Sequence, residues 1–546
     1  MNLTTFVFLI FANVFLSTLT LVVIGQLKGK IIVQTIVVLF IYAVFAIFLG
    51  YIWDFDFMLF IMAYVLPSFG LSAIILFTKR VILKPNIKEF TFIYETDKGL
   101  LLIHDIFIGL LGLGGAGAGK TKSITKPTIK NMARLNFSGI IYDYKKFDLS
   151  KCAFTQYSNH RSTVDLKFVN FFDLRYSNLI NPIHPDLLPN QAYAQQAALT
   201  LIKNLMKDAD SAKDPFFIPT ATAGFAGLIW RLREDYPKYC TLPHAVAIFT
   251  NLEYERIARF IRVNKNSNMI GASFVQSADS PRTAANVQAT LSNALSRLAI
   301  PEVFEVLKDS DFSLKLNDPT KPTLLCISNE QSLDEVYSPI IATIIAMALK
   351  HMNSEGRHHA ALMADEGMTL KIPNLDNTPA TMREYKLSTM ILTQDLTQAE
   401  DVYGRIGMDK IVANLGNQLY GRVRDPKTAK RYSEMFGKYD KEYVSYTRRS
   451  FESGSHTVST RETDRYAPQV FTKLKSGEFI GVFGNANKDE FHGRFKMYDE
   501  PEQMIPMIRP YITQREIIQS YEKIIQEAED VILRDEAFVS PEKKGF

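Results

Sequence analysis

Gly114-Gly115-Ala116-Gly117-Ala118-Gly119-Lys120-Thr121 follows the apolar run Ile106–Leu113 and precedes a helical pattern over Ser123–Leu135. This is the spacing of a phosphate-binding loop set between a strand and a helix. Glycine is required because a backbone without Cβ can curl its N–H groups inward around a phosphate, and the following helix adds a dipole that favours negative charge. Lys120 is then expected to reach the β- and γ-phosphates, and Thr121 to offer its hydroxyl to Mg2+. An accidental Gly/Ala-rich turn would not need eight matching positions with a strand before and a helix after.

A phosphate loop implies nucleotide binding; hydrolysis needs a second, acidic site. Ala360-Ala361-Leu362-Met363-Ala364-Asp365-Glu366 is an apolar strand ending in two acids. Asp365 is expected to hold Mg2+ through its bound water, and Glu366 to orient and deprotonate the attacking water. Such a strand is common by itself, but after Lys120-Thr121 it predicts an ATPase. The next strand, Tyr385–Gln394, ends in a polar side chain placed to sense the γ-phosphate. Arg422 and Arg424 close the strand Asn417–Val423; with Arg383 they are candidates to reach a neighbouring subunit's phosphates, because the guanidinium fork binds oxygens bidentately. Each also reads as an ordinary surface arginine. Asp143 and Lys145, at the end of the strand beginning at Gly139, either support the phosphate site or are plain strand-end residues.

The chain has 546 residues, too many for one ordinary domain. Its formal charge of +5 is small for that length and neither requires nor excludes a polyanion partner. Cys152, Cys240 and Cys326 lack metal-ligand spacing, which fits a reducing compartment and speaks against a disulfide framework.

The first 80 residues are different material. Leu3–Ile24, Ile31–Tyr51 and Phe57–Phe77 are apolar runs approaching the length of about 20 residues that a spanning helix needs. Lys28 and Lys30, Asp54 and Asp56, then Lys79, Arg80 and Lys84 punctuate them, and the positive-inside rule places the remainder in the cytoplasm. Three spans are expected; two spans with a re-entrant third run remain an alternative.

Elsewhere, Lys88–His104 reads as a hairpin around Asp97–Gly99. Between about 185 and 311 the pattern is helical, with Gln191–Leu205, Phe217–Glu234, Leu252–Arg262 and Ala284–Ala299 as its stretches. Asp214-Pro215-Phe216-Phe217 presents paired aromatics, for the core or for a partner. A strand at Thr323–Ser328 and an apolar helix over Leu333–His351 lead to the acidic strand. Glu442–Thr463 reads as a polar loop or irregular hairpin, in which Arg448-Arg449 suits either a solvated turn or nucleic acid. Phe479–Gly484 and Phe491–Tyr498 look like closing strands. Ile517, Tyr521, Ile524, Ala528 and Val531 share one face of a last helix, before a loose tail from Pro541.

The phosphate loop, the run Asp365-Glu366-Gly367-Met368-Thr369-Leu370-Lys371-Ile372-Pro373, then Arg383-Glu384-Tyr385-Lys386 and Thr393-Gln394-Asp395-Leu396-Thr397-Gln398 resemble the type IV coupling proteins. These are membrane-anchored ATPases of conjugative plasmids and type IV secretion systems; their Asp-x-Lys is matched by Asp143 and Lys145. The resemblance implies an α/β fold: a RecA-like P-loop ATPase core with an all-helical insertion and N-terminal transmembrane helices. It implies ATP and Mg2+, a homo-hexamer, and single-stranded DNA or a relaxase-DNA complex as cargo for type IV secretion channel proteins. The expected place is the bacterial inner membrane, multi-pass in the lipid bilayer with the ATPase part in the cytoplasm. The expected divisions are an anchor over 1–80, the nucleotide domain in two parts over 81–184 and 312–508, the helical insertion over 185–311, and a C-terminal helix and tail over 509–546. A nucleotide-gated receptor for protein cargo and a duplex DNA translocase are the alternatives.

Overall fold

The computed structural model describes residues 88–206, 216–447 and 455–539. The three N-terminal apolar runs, Asp214-Pro215, Arg448-Arg449 and the tail from Pro541 lie outside the described residues.

Strands β1 (Phe92–Thr96) and β2 (Gly99–Ile103) make a hairpin about the Asp97–Gly99 turn. Next come β3 (Leu110–Leu113), the phosphate loop, a π-helical turn over Thr121–Thr125 and α1 (Lys126–Arg134). They are followed by β4 (Ser138–Asp143), α2 (Asp148–Asn159) and β5 (Asp165–Val169). Among the described residues eight α-helices then intervene: α3 (Gln191–Leu205), α4 (Phe217–Asp235), α5 (Leu242–Asn251), α6 (Tyr254–Val263), α7 (Lys265–Ile270), α8 (Ala272–Ser277), α9 (Pro281–Ser296) and α10 (Pro301–Leu307). The sheet resumes with β6 (Thr323–Ser328), α11 (Asp334–Met352), β7 (Ala360–Asp365), α12 (Thr378–Thr381), β8 (Leu387–Thr393), α13 (Leu396–Asn414) and β9 (Asn417–Tyr420). The rest is α14 (Pro426–Met435), β10 (Lys438–Thr447), β11 (Ser455–Asp464), α15 (Pro468–Lys473), β12 (Glu478–Phe483), β13 (Glu490–Arg494) and α16 (Gln514–Val539).

The main sheet is nine-stranded, in the order β13-β12-β9-β3-β8-β7-β4-β6-β5. All neighbours from β9 to β5 are parallel; β12 and β13 add an antiparallel edge beside β9. Strands β3, β4, β6, β7 and β8 are buried throughout and predominantly apolar, as expected of parallel strands covered by helices on both faces. Leu111, Ile140, Leu325 and Leu362 face the core that includes α3, α4 and α11, while Ile141, Leu324 and Met363 face α1, α2 and the first hairpin. Gly139 has φ +118°, and a Cβ there would meet Ala361 O at 2.1 Å, so β4 can lie against β7 only with glycine at this point.

Within the helical region Phe217 packs on the core and Phe216 beside it is more exposed, their ring centroids 5.8 Å apart. All three cysteines are buried and free. Of the segment read as a polar loop or an irregular hairpin over Glu442–Thr463, the described residues form the hairpin, and a regular one: β10 pairs antiparallel with β11, separate from the main sheet.

The multi-pass inner-membrane location expected from hydropathy is corrected. Among the described residues a single helix, Gln331–Met352, is long and apolar enough to cross a bilayer, and it is largely buried inside the protein. It contains α11, whose Ile340, Ile341, Ile344 and Ile345 fill the core below the sheet. Hydropathy rewards any helix wrapped in apolar contacts, whether the surroundings are protein or lipid.

Candidate active site

Strand order sets the site. Because β8 lies between β3 and β7, the phosphate loop and the acid pair are separated by one strand, leaving a crevice at the carboxyl ends. A cavity of about 260 Å³ there is lined by residues 115–122, Lys145, Asp365, Glu366, Gln394, Ser476 and Met497.

The loop holds its curl through Ala118 N donating to Gly115 O at 3.1 Å and Ser123 N to Gly119 O at 2.9 Å. Gly117 and Gly119 have φ of +74° and +91°, and a Cβ at Gly119 would approach Gly477 N to 2.7 Å. Two neighbours fix the loop from outside. Gly115 N donates to Arg422 O at 2.8 Å, and Gly477 N donates to Ala118 O at 2.8 Å.

Lys120 is buried, and its ammonium donates to Gly114 O at 2.5 Å and lies 4.0 Å from Glu366 Oε1. Burial lowers its pKa, opposed by the charges of Glu366 and Asp365. Burial, reinforced by the Glu366 charge, pushes Asp365 up to about 6, with Lys145 and Lys120 pulling the other way. Glu366 stands in the left-handed region at φ +53°, a conformation costing about 1 kcal/mol or more for such a residue. There its Oε2 accepts from Gln394 N at 3.1 Å and from the Thr393 hydroxyl at 3.5 Å. The end of β8 is thereby tied to the acid at the end of β7.

The other candidates divide. Lys145 lines the crevice, but Asp143 does not. Both Asp143 oxygens turn away, accepting from the N–H groups of Lys145, Leu149 and Ser150 and from the Ser150 hydroxyl, so it caps α2 and its reading as a phosphate-site residue is corrected. Burial pushes its carboxyl up to about 7 despite these bonds. Arg422 donates to Gly117 O of its own chain at 3.2 Å, which places it on its own loop. Arg424 is exposed. Arg383 precedes β8, at the amino ends of the strands, and pairs with Asp105 at 2.7 Å. Ser476 and Met497 were not anticipated. They flank β12 and β13 and reach the loop only because that edge pairs with β9; the one local signal was the turn at Ser476-Gly477, with Gly477 at φ +80°.

A mixed α/β core with this strand order, a glycine loop ending in Lys-Thr and an acid pair one strand away define a RecA-like P-loop ATPase. The family profile described as type IV secretory system conjugative DNA transfer matches residues 86–480, and the chain belongs to that family. Among solved structures, the bacterial conjugative coupling protein TrwBdeltaN70 in an unbound form aligns with a TM-score of 0.60 at 16% identity, covering 77% of this chain and 90% of that one. TrwB in complex with ADP and Mg2+ aligns at 0.57 with 17% identity, covering 74% and 88%. TrwB with a non-hydrolysable ATP analogue aligns at 0.55 with 17% identity, covering 74% and 87%. These likenesses are of fold. No curated protein sequence matches the chain.

Proposed function

We propose that this chain couples cargo to a conjugative secretion channel, feeding relaxase-bound single-stranded DNA toward channel proteins with ATP hydrolysis as the drive, as a homo-hexameric ring. The observation that carries the proposal is the convergence of Lys120, Asp365, Glu366 and Gln394 on one crevice in a member of the conjugative DNA transfer family.

The residues present fit ATP and Mg2+. Gly117 and Gly119 shape a cradle that a Cβ would distort, and Lys120 turns its ammonium into that cradle onto a loop carbonyl, a bond that a phosphate oxygen can replace. Thr121 and Asp365 are the residues to hold the metal. Mg2+ takes one or two protein oxygens beside phosphates and water rather than a closed protein cage, and among the described residues no group of three His, Cys, Asp or Glu makes such a cage. When bound, Mg2+ supplies charge neutralisation on the phosphates. Glu366, held by Gln394 N, orients a water and takes its proton. Gln394 links the state of the γ-phosphate to β8 and so to α13. Arg422 braces the loop in cis, leaving Arg424 and Arg383 as candidates to complete a neighbour's site. DNA is held through its backbone charge, in a salt-sensitive and weakly sequence-specific way.

The test is ATP turnover of the full-length chain without DNA, with single strands and with duplex. Stimulation preferring single strands is expected. Stimulation by duplex alone would replace the proposal with a duplex translocase, and turnover that responds to protein cargo but to neither DNA would replace it with a cargo receptor.

A further inference from the structure

The ribbon β10–β11 is built without an internal reason for its charge pattern. Side chains on an antiparallel pair alternate between two faces, and partners directly opposite share a face. The register pairs Tyr439 with Thr463, Lys441 with Arg461 and Tyr443 with Ser459, so one face carries two cations and two tyrosines and no acid over these positions. The intervening pairs are Lys438 with Asp464, Asp440 with Glu462 and Glu442 with Thr460, so the other face carries four acids and one lysine.

Like charges therefore stand directly opposite each other on both faces, Lys441 against Arg461 and Asp440 against Glu462. Such pairs destabilise a ribbon. A two-stranded hairpin is marginal in water to begin with, and here residues 438–443 are exposed on both faces, Tyr439 by 46% and Tyr443 by 41%. Lys441 and Arg461 lie over the Tyr443 ring at 5.4 and 5.9 Å, and among the described residues neither forms an ion pair. On the acidic face Lys438 reaches Glu462 at 3.4 Å, leaving an excess of carboxylate.

We infer that the ribbon is a head-to-tail contact between copies of this chain, the Tyr439-Lys441-Tyr443-Arg461 face of one copy meeting the Asp440-Glu442-Glu462 face of the next. The inference rests on the ring reading above. Two faces of opposite sign on one element are self-complementary in translation, and a contact joining different patches of identical subunits generates a ring when its rotation closes. Charge segregation on both faces is explained at once, whereas a nucleic-acid partner would explain the basic face and leave the acidic one without a role. The tyrosines supply the apolar area that charge complementarity alone lacks.

A charge exchange tests it, with the full-length chain in the presence of single-stranded DNA and a non-hydrolysable ATP analogue and self-association followed by sedimentation velocity. Lys441→Glu with Arg461→Glu makes both faces acidic, and Asp440→Lys with Glu462→Lys makes both basic. Each double variant is expected to lose self-association at least about tenfold, and an equal mixture to regain it by alternation. Unchanged binding of a fluorescent ATP analogue shows that both variants are folded. Association of either variant at wild-type strength, or a mixture that stays dissociated, overturns the ribbon contact while leaving the ring intact. Loss of DNA binding in the first variant with association unaffected overturns it in favour of a nucleic-acid face. A wild-type chain that stays single under these conditions overturns the ring and the ribbon together.

Discussion

In the crevice Lys120 stands 4.0 Å from Glu366, spends a bond on a loop carbonyl, and faces a second acid whose carboxyl is pushed up to about 6. Between α4 and α16, by contrast, Arg231 closes on every side: onto Asp235, onto Asp535 at 2.5 Å and onto Phe260 O at 3.1 Å, while Tyr236 donates to Asp535 at 2.8 Å. Both clusters hold buried charge: Lys120, Asp365 and Glu366 in the first, Arg231 and Asp535 in the second. The second is finished, and it fastens the C-terminal helix α16 to helices α4, α5 and α6 with help from Arg256–Glu536 and His244–Glu527. The first keeps charge in low dielectric with its strongest pairing unmade, which is favourable only if something else completes it. A buried charge that the fold leaves incompletely paired is a better mark of function than buried charge as such.

The contrast is broken most directly in the crevice. Lys120→Ala and Glu366→Gln should each lower ATP turnover at least about 100-fold, the latter with nucleotide binding retained. Turnover near the wild-type rate, measured by phosphate release, would remove both residues from the chemistry. In the finished cluster Asp535→Ala should cost about 3 kcal/mol or more, read as an earlier denaturant midpoint, with nucleotide affinity unchanged. The paired exchange Arg231→Met with Asp535→Leu should recover most of that loss, because an apolar pair needs no desolvation of charge.

The pH dependence should separate the clusters further. Asp365 is raised above the usual carboxylate range, so the charged form needed for a metal is present above about pH 6 and is lost as pH falls through that value. Removing the neighbouring charge in Glu366→Gln should move the acid limb of Mg2+-dependent nucleotide binding to lower pH; a limb that stays put would mean that another group governs it. Arg422→Ala, losing one bond to the loop, should raise KM about fivefold, equivalent to about 1 kcal/mol. Arg383→Ala should change stability by about 0.5 kcal/mol or less, since its pair with Asp105 is solvated. A fall in turnover by about 1,000-fold in the assembled protein would instead identify Arg383 as the group that completes a neighbour's site.

Much of the site was legible in the chain alone. The phosphate loop, the acid pair and Gln394 announce themselves because each needs particular residue types at adjacent positions, beside apolar strands that identify themselves by composition. The family, too, follows from runs of contiguous residues. Asp143 shows the limit: it has the right spacing after its strand, yet its carboxylate serves the N-terminus of α2, because the turn after β4 brings those N–H groups nearer than the crevice.

Sequence by itself therefore determined the chemistry carried within single loops and strands. Tertiary structure alone decided which of these pieces meet: β8 between β3 and β7, Ser476 and Met497 against the loop through the antiparallel edge, Arg422 on its own glycines, and α11 inside the protein. It also decided the two signs of the ribbon, since a register shifted by one residue would pair Lys441 and Asp440 with other partners. The physical reason is that propensity and motif act along neighbouring residues, whereas pairing, burial and charge balance depend on which distant surfaces are left to be covered.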